Sequence, residues 1–308
     1  MLKQKEVYQI VKKLVTSSNI KVILLFGSSV SKDCYGESDT DMAIITESAK
    51  NEKEINTKIN FSHFYLQTHI FSIKDFTEKL KDGDPLCLSI LYTGKVLYGK
   101  NFHLKLKKKG FKPINKTIRK CMLNSFAALG LGISDLTSGF LYDSVNSIYH
   151  AARSSIWADL FDKVITPNNN HIFKLLEDKS MLRLYKKIIE FRQNIPNNNY
   201  DLYLAQEIYV KGNINSFTQL LDDATTIVRT NYKRIFGKNF VSFFELLAIL
   251  RKRYDNVPEF YSVMLSVVWK KQKPVYHVML CFKDKRIFVE VDANNGSIKE
   301  IENVKKEV

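Results

Sequence analysis

Four residues near the N-terminus have the types and the spacing that could hold a phosphate group and a metal ion. Gly27 and Ser28 follow an apolar run, and Asp39 and Asp41 come ten residues later. A glycine lets the backbone approach a phosphate closely, and a serine at the start of a helix offers a hydroxyl and an N–H to an anion. Side chains two residues apart on a strand share a face, so both aspartates can converge on one cation.

A glycine-serine turn beside two carboxylates predicts a particular chemistry. Mg²⁺ and Mn²⁺ prefer oxygen ligands, and Mg²⁺ is usually held by one or two carboxylates together with substrate phosphates. We therefore expect Asp39 and Asp41 to be both metal ligands and catalytic residues, with a nucleoside triphosphate as substrate. An acceptor hydroxyl would attack the α-phosphorus and pyrophosphate would leave, with positioning and charge stabilisation providing most of the catalysis.

The elements that must position these residues alternate between strand and helix, which indicates an α/β domain. Short β-rich apolar runs predict strands, and helical spacing of apolar residues predicts helices. The predicted strands are Lys21–Phe26, Met42–Thr46 and Phe64–Phe71, with a short edge strand or turn at Gly94–Gly99. The predicted helices are Lys3–Ser17, Glu52–Ile59, Thr77–Leu80 and Leu86–Tyr92.

The order Gly-Ser, ten residues, Asp, one residue, Asp resembles the signature of the nucleotidyltransferase superfamily. That superfamily includes DNA polymerase beta, kanamycin nucleotidyltransferase and the minimal nucleotidyltransferases. Ser38 before the first aspartate and the apolar run Met42–Ile45 after the second also fit the pattern, and the resemblance covers about residues 5–100. It implies four nucleotide-binding residues, namely Gly27, Ser28, Ser29 and Ser38.

One feature of the superfamily is missing, namely a third carboxylate on a later strand that helps to hold a second metal ion or acts as base. The corresponding strand, Phe64–Phe71, contains no Asp or Glu. His69 or Gln67 could take that position, since a neutral histidine can ligate a metal or accept a proton. A single histidine on a mostly apolar strand is also compatible with a structural role.

Residues 113–237 have the pattern of an antiparallel helical bundle. Its predicted helices include Lys116–Leu136, Tyr142–Phe161 and Asn215–Phe236. The stretches Phe140–Val145 and Tyr149–Arg153 loosely resemble the HEPN bundle, which often accompanies minimal nucleotidyltransferases. This resemblance implies that the bundle completes the acceptor or nucleotide pocket. Ribonuclease members carry Arg, four to six residues, then His, and no histidine follows Arg153 at that spacing, so RNA cleavage is not expected.

The C-terminal segment differs again, with a helix at Phe243–Tyr254 followed by short β-rich runs. Its stretch from Lys273 to Gly296 faintly resembles the small PepSY-like module, to which we assign no chemistry. The sequence therefore predicts a multi-domain α+β protein. Its parts are an N-terminal α/β nucleotidyltransferase domain at 1–104, an all-α HEPN-like bundle at 113–237 and a small α+β module at 239–308.

Composition and charge limit the cellular setting and the partners. The four cysteines are far apart and fit neither a disulfide framework nor a metal site, so a reducing cytoplasm is expected. No apolar run is long enough to span a bilayer. The formal charge is +15, and residues 101–238 hold 21 Lys and Arg against 11 Asp and Glu. Such an excess can attract nucleic acid, or it can reflect a general lysine and asparagine bias.

Two hypotheses of different classes follow. The first is a nucleotidyltransferase of EC 2.7.7 type that uses Mg²⁺ or Mn²⁺ to move a nucleoside monophosphate to a hydroxyl of a small molecule, a protein or an RNA end. The second is a catalytically weakened, nucleotide-binding regulator or antitoxin-like protein that binds a protein partner. The oligomeric state stays open under both, with a homodimer as one arrangement.

Overall fold

The computed structural model describes the chain in segments that fall into two compact units. The described residues are 4–16, 19–30, 40–48, 55, 66–137, 140–165, 172–173, 176, 178–194, 214–254, 262–270, 273–281 and 285–305. The first unit takes the described residues within 1–120 and 160–177, and the second those within 121–159 and 178–308. The predicted helix Glu52–Ile59 lies outside the described residues except for Ile55.

The first unit contains a four-stranded mixed sheet with helices around it. Its elements are α1 (Gln4–Val15), β1 (Ile20–Phe26), a 3₁₀ turn (Gly27–Val30), β2 (Thr40–Thr46), β3 (Leu66–Ser72), α2 (Ile73–Lys81), α3 (Pro85–Thr93), β4 (Lys95–Tyr98) and α4 (Lys100–Lys108). The strand order is β3-β2-β1-β4. β2 is parallel to β3, while β1 is antiparallel to both β2 and β4.

The two central strands are apolar along nearly their whole length because both of their faces are covered. The helix α1 places one apolar side, including Val7 and Leu14, in a core with Ile23 and Ile44. Val22 and Leu24 point to the opposite face of the sheet and are fully buried as well. The ends of β1 and β2 are therefore fixed by packing on both faces.

Helix capping sets the limits of the two helices that follow the sheet. The predicted segments Thr77–Leu80 and Leu86–Tyr92 are confirmed as parts of α2 and α3. Both helices begin earlier, because Ser72 and Asp84 accept hydrogen bonds from backbone N–H groups three residues ahead. The sequence pattern did not predict α4. This helix is rich in lysine, and its polar sequence does not distinguish it from a loop.

The second unit combines long helices with an antiparallel sheet. The helix α5 (Asn115–Thr137) begins in the first unit and continues into the second, and the last three residues of α6 (Leu141–Asp162) belong to the first. The remaining elements are α7 (Lys179–Asn194), α8 (Ile214–Phe236), α9 (Phe243–Arg253), β5 (Ser262–Lys270), β6 (Lys273–Cys281), β7 (Lys285–Asp292) and β8 (Ile298–Lys305). The four strands form a meander in the order β5-β6-β7-β8.

Aromatic side chains from the helices and the C-terminal sheet pack into one cluster within the second unit. The Phe126 ring of α5 stacks on Phe240 at 4.5 Å and on Trp269 of β5 at 6.3 Å. The Tyr232 hydroxyl donates to Asn294 Oδ1 at 2.7 Å, and the Tyr276 hydroxyl donates to the Val241 carbonyl at 2.6 Å. These contacts hold α5, α8 and the sheet together, because the rings bury apolar surface against one another and both tyrosine hydroxyls form hydrogen bonds.

The architecture as a whole is a mixed α+β protein, as predicted. The three domain boundaries drawn from the sequence stay a prediction. Among the helices that the structure describes, none combines the length and the apolar character that crossing a membrane requires.

Two glycines allow the close approach of α4 to the sheet to be tested. Gly99 and Gly110 have φ angles of +78° and +66°, which cost other residues about 1–2 kcal/mol. A Cβ at Gly99 would collide with the Lys21 carbonyl oxygen, whereas one at Gly110 would have no described atom within 4 Å. We expect Gly99→Ala to lower the free energy of unfolding by about 1–3 kcal/mol more than Gly110→Ala, as measured by urea denaturation. Equal losses would contradict the close packing.

Candidate functional site

The turn that follows β1 brings a glycine directly against a carboxylate. Gly27 begins the 3₁₀ turn with a φ of +67°. A Cβ placed on Gly27 would collide with a carboxylate oxygen of Asp41, and the Cγ of Asp41 would lie 3.3 Å from it. The Asp41 side chain thus occupies the space that any larger residue at position 27 would need.

Strand register explains how Asp41 reaches this position. Asp41 is the second residue of β2, and it pairs with Phe26 on one side and with Gln67 of β3 on the other. Residues paired across strands point to the same face. Asp41 is half-buried at the end of the sheet, beside the turn that Gly27 begins. The carboxylate is therefore held by two strands rather than by a loop.

The two residues predicted to replace the third carboxylate lie in different surroundings. Gln67 pairs directly with Asp41 and is exposed, while His69 pairs with Ala43. The His69 ring meets the Phe26 ring edge-on, with centroids 5.3 Å apart. Burial lowers the pKa of His69, so its imidazole is neutral at pH 7. Gln67 is therefore the residue beside Asp41, and His69 takes part in packing.

The other predicted site residues are described only in part. Ser28 and Ser29 belong to the 3₁₀ turn by their backbone. Ser38 and Asp39 lie outside the described residues. Among the residues that are described, no three His, Cys, Asp or Glu side chains form a metal-binding group, and a set that includes Asp39 is not covered by that result. The metal and nucleotide roles of these residues stay predictions.

Two features of the site could not be read from residue spacing. The sequence gives a backbone reason for Gly27, namely approach to a phosphate, but the carboxylate against it becomes visible only once β1 and β2 are in register. The contact between Phe26 and His69 likewise depends on three adjacent strands. Alternation along a strand predicts that Gln67 and His69 share one face. It does not predict which of the two lies beside Asp41.

Comparison with known proteins identifies the domain type of the N-terminal part. Residues 8–103, about a third of the chain, match the family model described as polymerase beta, nucleotidyltransferase. No curated protein matches. Among solved structures, the chain is similar to a nucleotidyltransferase-like protein from Exiguobacterium sibiricum 255-15, with 13% identity over 90% of this chain and 98% of the other, and a TM-score of 0.27. The family match indicates a general role in nucleotidyl transfer, while the HEPN-like and PepSY-like resemblances stay predictions.

The buried character of His69 predicts its titration. Its ordinary pKa of 6.5 applies in the unfolded chain, and burial lowers the pKa in the folded protein. The unfolded state therefore takes up the proton first as the pH falls, so the contribution of His69 to stability is complete above about pH 6.5 and declines below it. NMR titration of the ring, assigned by loss of the signal in His69→Gln, should give a pKa below 6.5. A value at or above 6.5 would contradict the packed position.

Proposed function

We propose that the N-terminal domain is a metal-dependent nucleotidyltransferase that moves a nucleoside monophosphate from a nucleoside triphosphate to a hydroxyl acceptor. The match of residues 8–103 to the polymerase beta nucleotidyltransferase family supports the reaction class. The acceptor stays open among a small molecule, a protein side chain and an RNA end. The chemistry rests on Gly27, Ser28, Asp39 and Asp41.

The single observation that carries this proposal is the apposition of Gly27 and Asp41. A glycine leaves its backbone accessible to a phosphate, and here the space that a side chain would fill is occupied by the Asp41 carboxylate. A triphosphate bound at the turn would thus have a metal-ligand oxygen beside its phosphates. Two strands fix this arrangement, so little reorganisation is needed when substrate binds.

The donor atoms suit a hard divalent cation. Carboxylate oxygens favour Mg²⁺ or Mn²⁺, and we propose Asp41 and Asp39 as the ligands because alternation would place Asp39 on the same face if β2 extended to it. When bound, such a cation neutralises charge on the triphosphate. In the reaction, the acceptor oxygen bonds to the α-phosphorus, the bond from that phosphorus to the bridging oxygen breaks, and pyrophosphate leaves with the electron pair.

The neighbour of Asp41 on β3 bears on the fate of the acceptor proton. Gln67 is beside Asp41, and an amide can orient a hydroxyl or a water but does not take up a proton at neutral pH. We assign Gln67 a positioning role and propose that the acceptor proton passes to an aspartate carboxylate or to water. His69 contributes indirectly, because its ring packs against Phe26, the β1 residue that pairs with Asp41.

Neutralising the aspartates tests the proposal. Calorimetry with ATP, GTP, CTP and UTP, with and without Mg²⁺, should show metal-dependent binding by the wild type that is lost in Asp39→Asn/Asp41→Asn. Pyrophosphate release with the favoured triphosphate should fall at least about 100-fold. Glu78→Gln, an exposed carboxylate on α2, is the matched control and should change neither. Failure of the wild type to bind any triphosphate would contradict the proposal, while binding without pyrophosphate release would favour a nucleotide-binding regulator.

Adding one methyl group at the turn tests the apposition itself. Gly27→Ala would push the Asp41 carboxylate away and strain a positive φ. We expect at least about a tenfold loss of Mg²⁺-dependent triphosphate affinity, which is about 1.4 kcal/mol. Gly110→Ala carries the same backbone strain without a contact and should bind as the wild type does. Unchanged affinity in Gly27→Ala would place the phosphates elsewhere.

A further inference from the structure

The segment that leaves the N-terminal domain has a composition that its fold does not require. Residues 100–120 contain eight lysines and one arginine, and no aspartate or glutamate. A random surface of this protein would mix both signs, since the whole chain has 47 basic and 32 acidic residues. Charge of one sign over this length raises the local potential and attracts a polyanion.

The helix α4 separates these charges from its buried side. His103 and Leu106 are buried, and His103 Nε2 lies 2.8 Å from the Leu91 carbonyl oxygen of α3. At 100° per residue, Lys105 and Lys108 fall on the other side and Lys100 on the flank, and all three are exposed. The lysines therefore face solvent because the helix is anchored by its opposite side.

The chain after α4 is held in place as well. The Tyr92 hydroxyl donates to the Phe111 carbonyl at 2.6 Å, and Lys107 Nζ donates to the Tyr92 carbonyl at 3.4 Å. Lys109 and Lys112, on either side of Phe111, are exposed. We define the lysine face by its five exposed members, Lys100, Lys105, Lys108, Lys109 and Lys112. Its backbone is pinned to α3, so a bound partner would not have to order it.

Carboxylates of the same unit leave this face uncompensated. Asp82 forms an ion pair with Lys116 at 2.6 Å, and Asp84 pairs closely with Lys120. Both lysines are on α5, beyond the lysine face. Within the described parts of the chain, no carboxylate pairs with a lysine of that face. Its positive charge is therefore available to an external partner.

We infer that the lysine face binds the phosphate backbone of a nucleic acid. Lysine binds phosphates as a compact point charge, and phosphate contacts supply most of sequence-independent binding. A membrane-binding helix would instead expose an apolar stripe. Within residues 100–120, the exposed large apolar side chains are Leu104 on α4 and Ile114 in the segment before α5, and the apolar side of α4 is already buried. The inference concerns polyanion binding and holds whether or not the domain transfers nucleotides.

Fluorescence anisotropy with a labelled 20-nucleotide single-stranded RNA tests the inference on the full chain. The variant Lys105→Gln/Lys108→Gln/Lys109→Gln/Lys112→Gln should bind at least about tenfold more weakly. Each lost phosphate contact should make the slope of log K against log salt shallower by about 0.7, or roughly 3 for four contacts. The matched control Lys233→Gln/Lys238→Gln/Lys252→Gln/Lys299→Gln removes the same charge from exposed positions of the second unit and should bind nearly as the wild type does.

Arginine variants and triphosphate binding serve as further controls. The four lysines changed to arginine retain the charge and should retain binding, which separates charge from loss of folding. Mg²⁺-dependent triphosphate binding should stay unchanged in all three variants, so failure here is distinct from failure of the proposed function. Three results would each overturn the inference. They are an equal loss of RNA binding in the control variant, no RNA binding by the wild type, and binding only to vesicles of phosphatidylcholine and phosphatidylserine.

Discussion

The candidate site depends on one steric constraint, the absence of a side chain at Gly27 beside the Asp41 carboxylate. The strand pairing of β1 with β2 creates the contact, and burial of both strands on both faces maintains the pairing. Because a one-residue slip would turn every side chain to the other face, the apolar pattern of the core also fixes the site. Core packing and candidate chemistry are thus two results of the same register.

Some helices and strands of this fold could be predicted from the sequence, and others could not. The strands around the glycine-serine turn are continuous apolar runs, and the helices α5, α6 and α8 show helical spacing of apolar residues. All of them were predicted within a few residues. The helix α4 was missed because its burial rests on His103 and Leu106 alone, with lysines between them. The long helix α7 was also not delimited, although it buries Met181, Tyr185 and Ile188 at helical spacing.

The candidate site shows the same division between local and non-local information. Local information selects Gly27 from the turn after an apolar run, and Asp41 with Asp39 from the two-residue period of a strand. The choice between Gln67 and His69 depends on how β3 aligns with β2, and residue types do not specify the register of a parallel pair without the intervening connection. The high lysine content of this segment can be seen in the sequence, but the exposure of the lysine face follows only from the contacts of α4 with α3.

The aromatic cluster of the second unit has a consequence for synthesis of the chain. Phe126, Tyr232 and Phe240 precede the strands that contribute Trp269 and Tyr276. On the ribosome, the helices emerge first, and these three rings lack Trp269 and Tyr276 until β5 and β6 have been made. Folding of this unit must therefore finish late, and a nascent chain of intermediate length would expose aromatic surface that chaperones recognise.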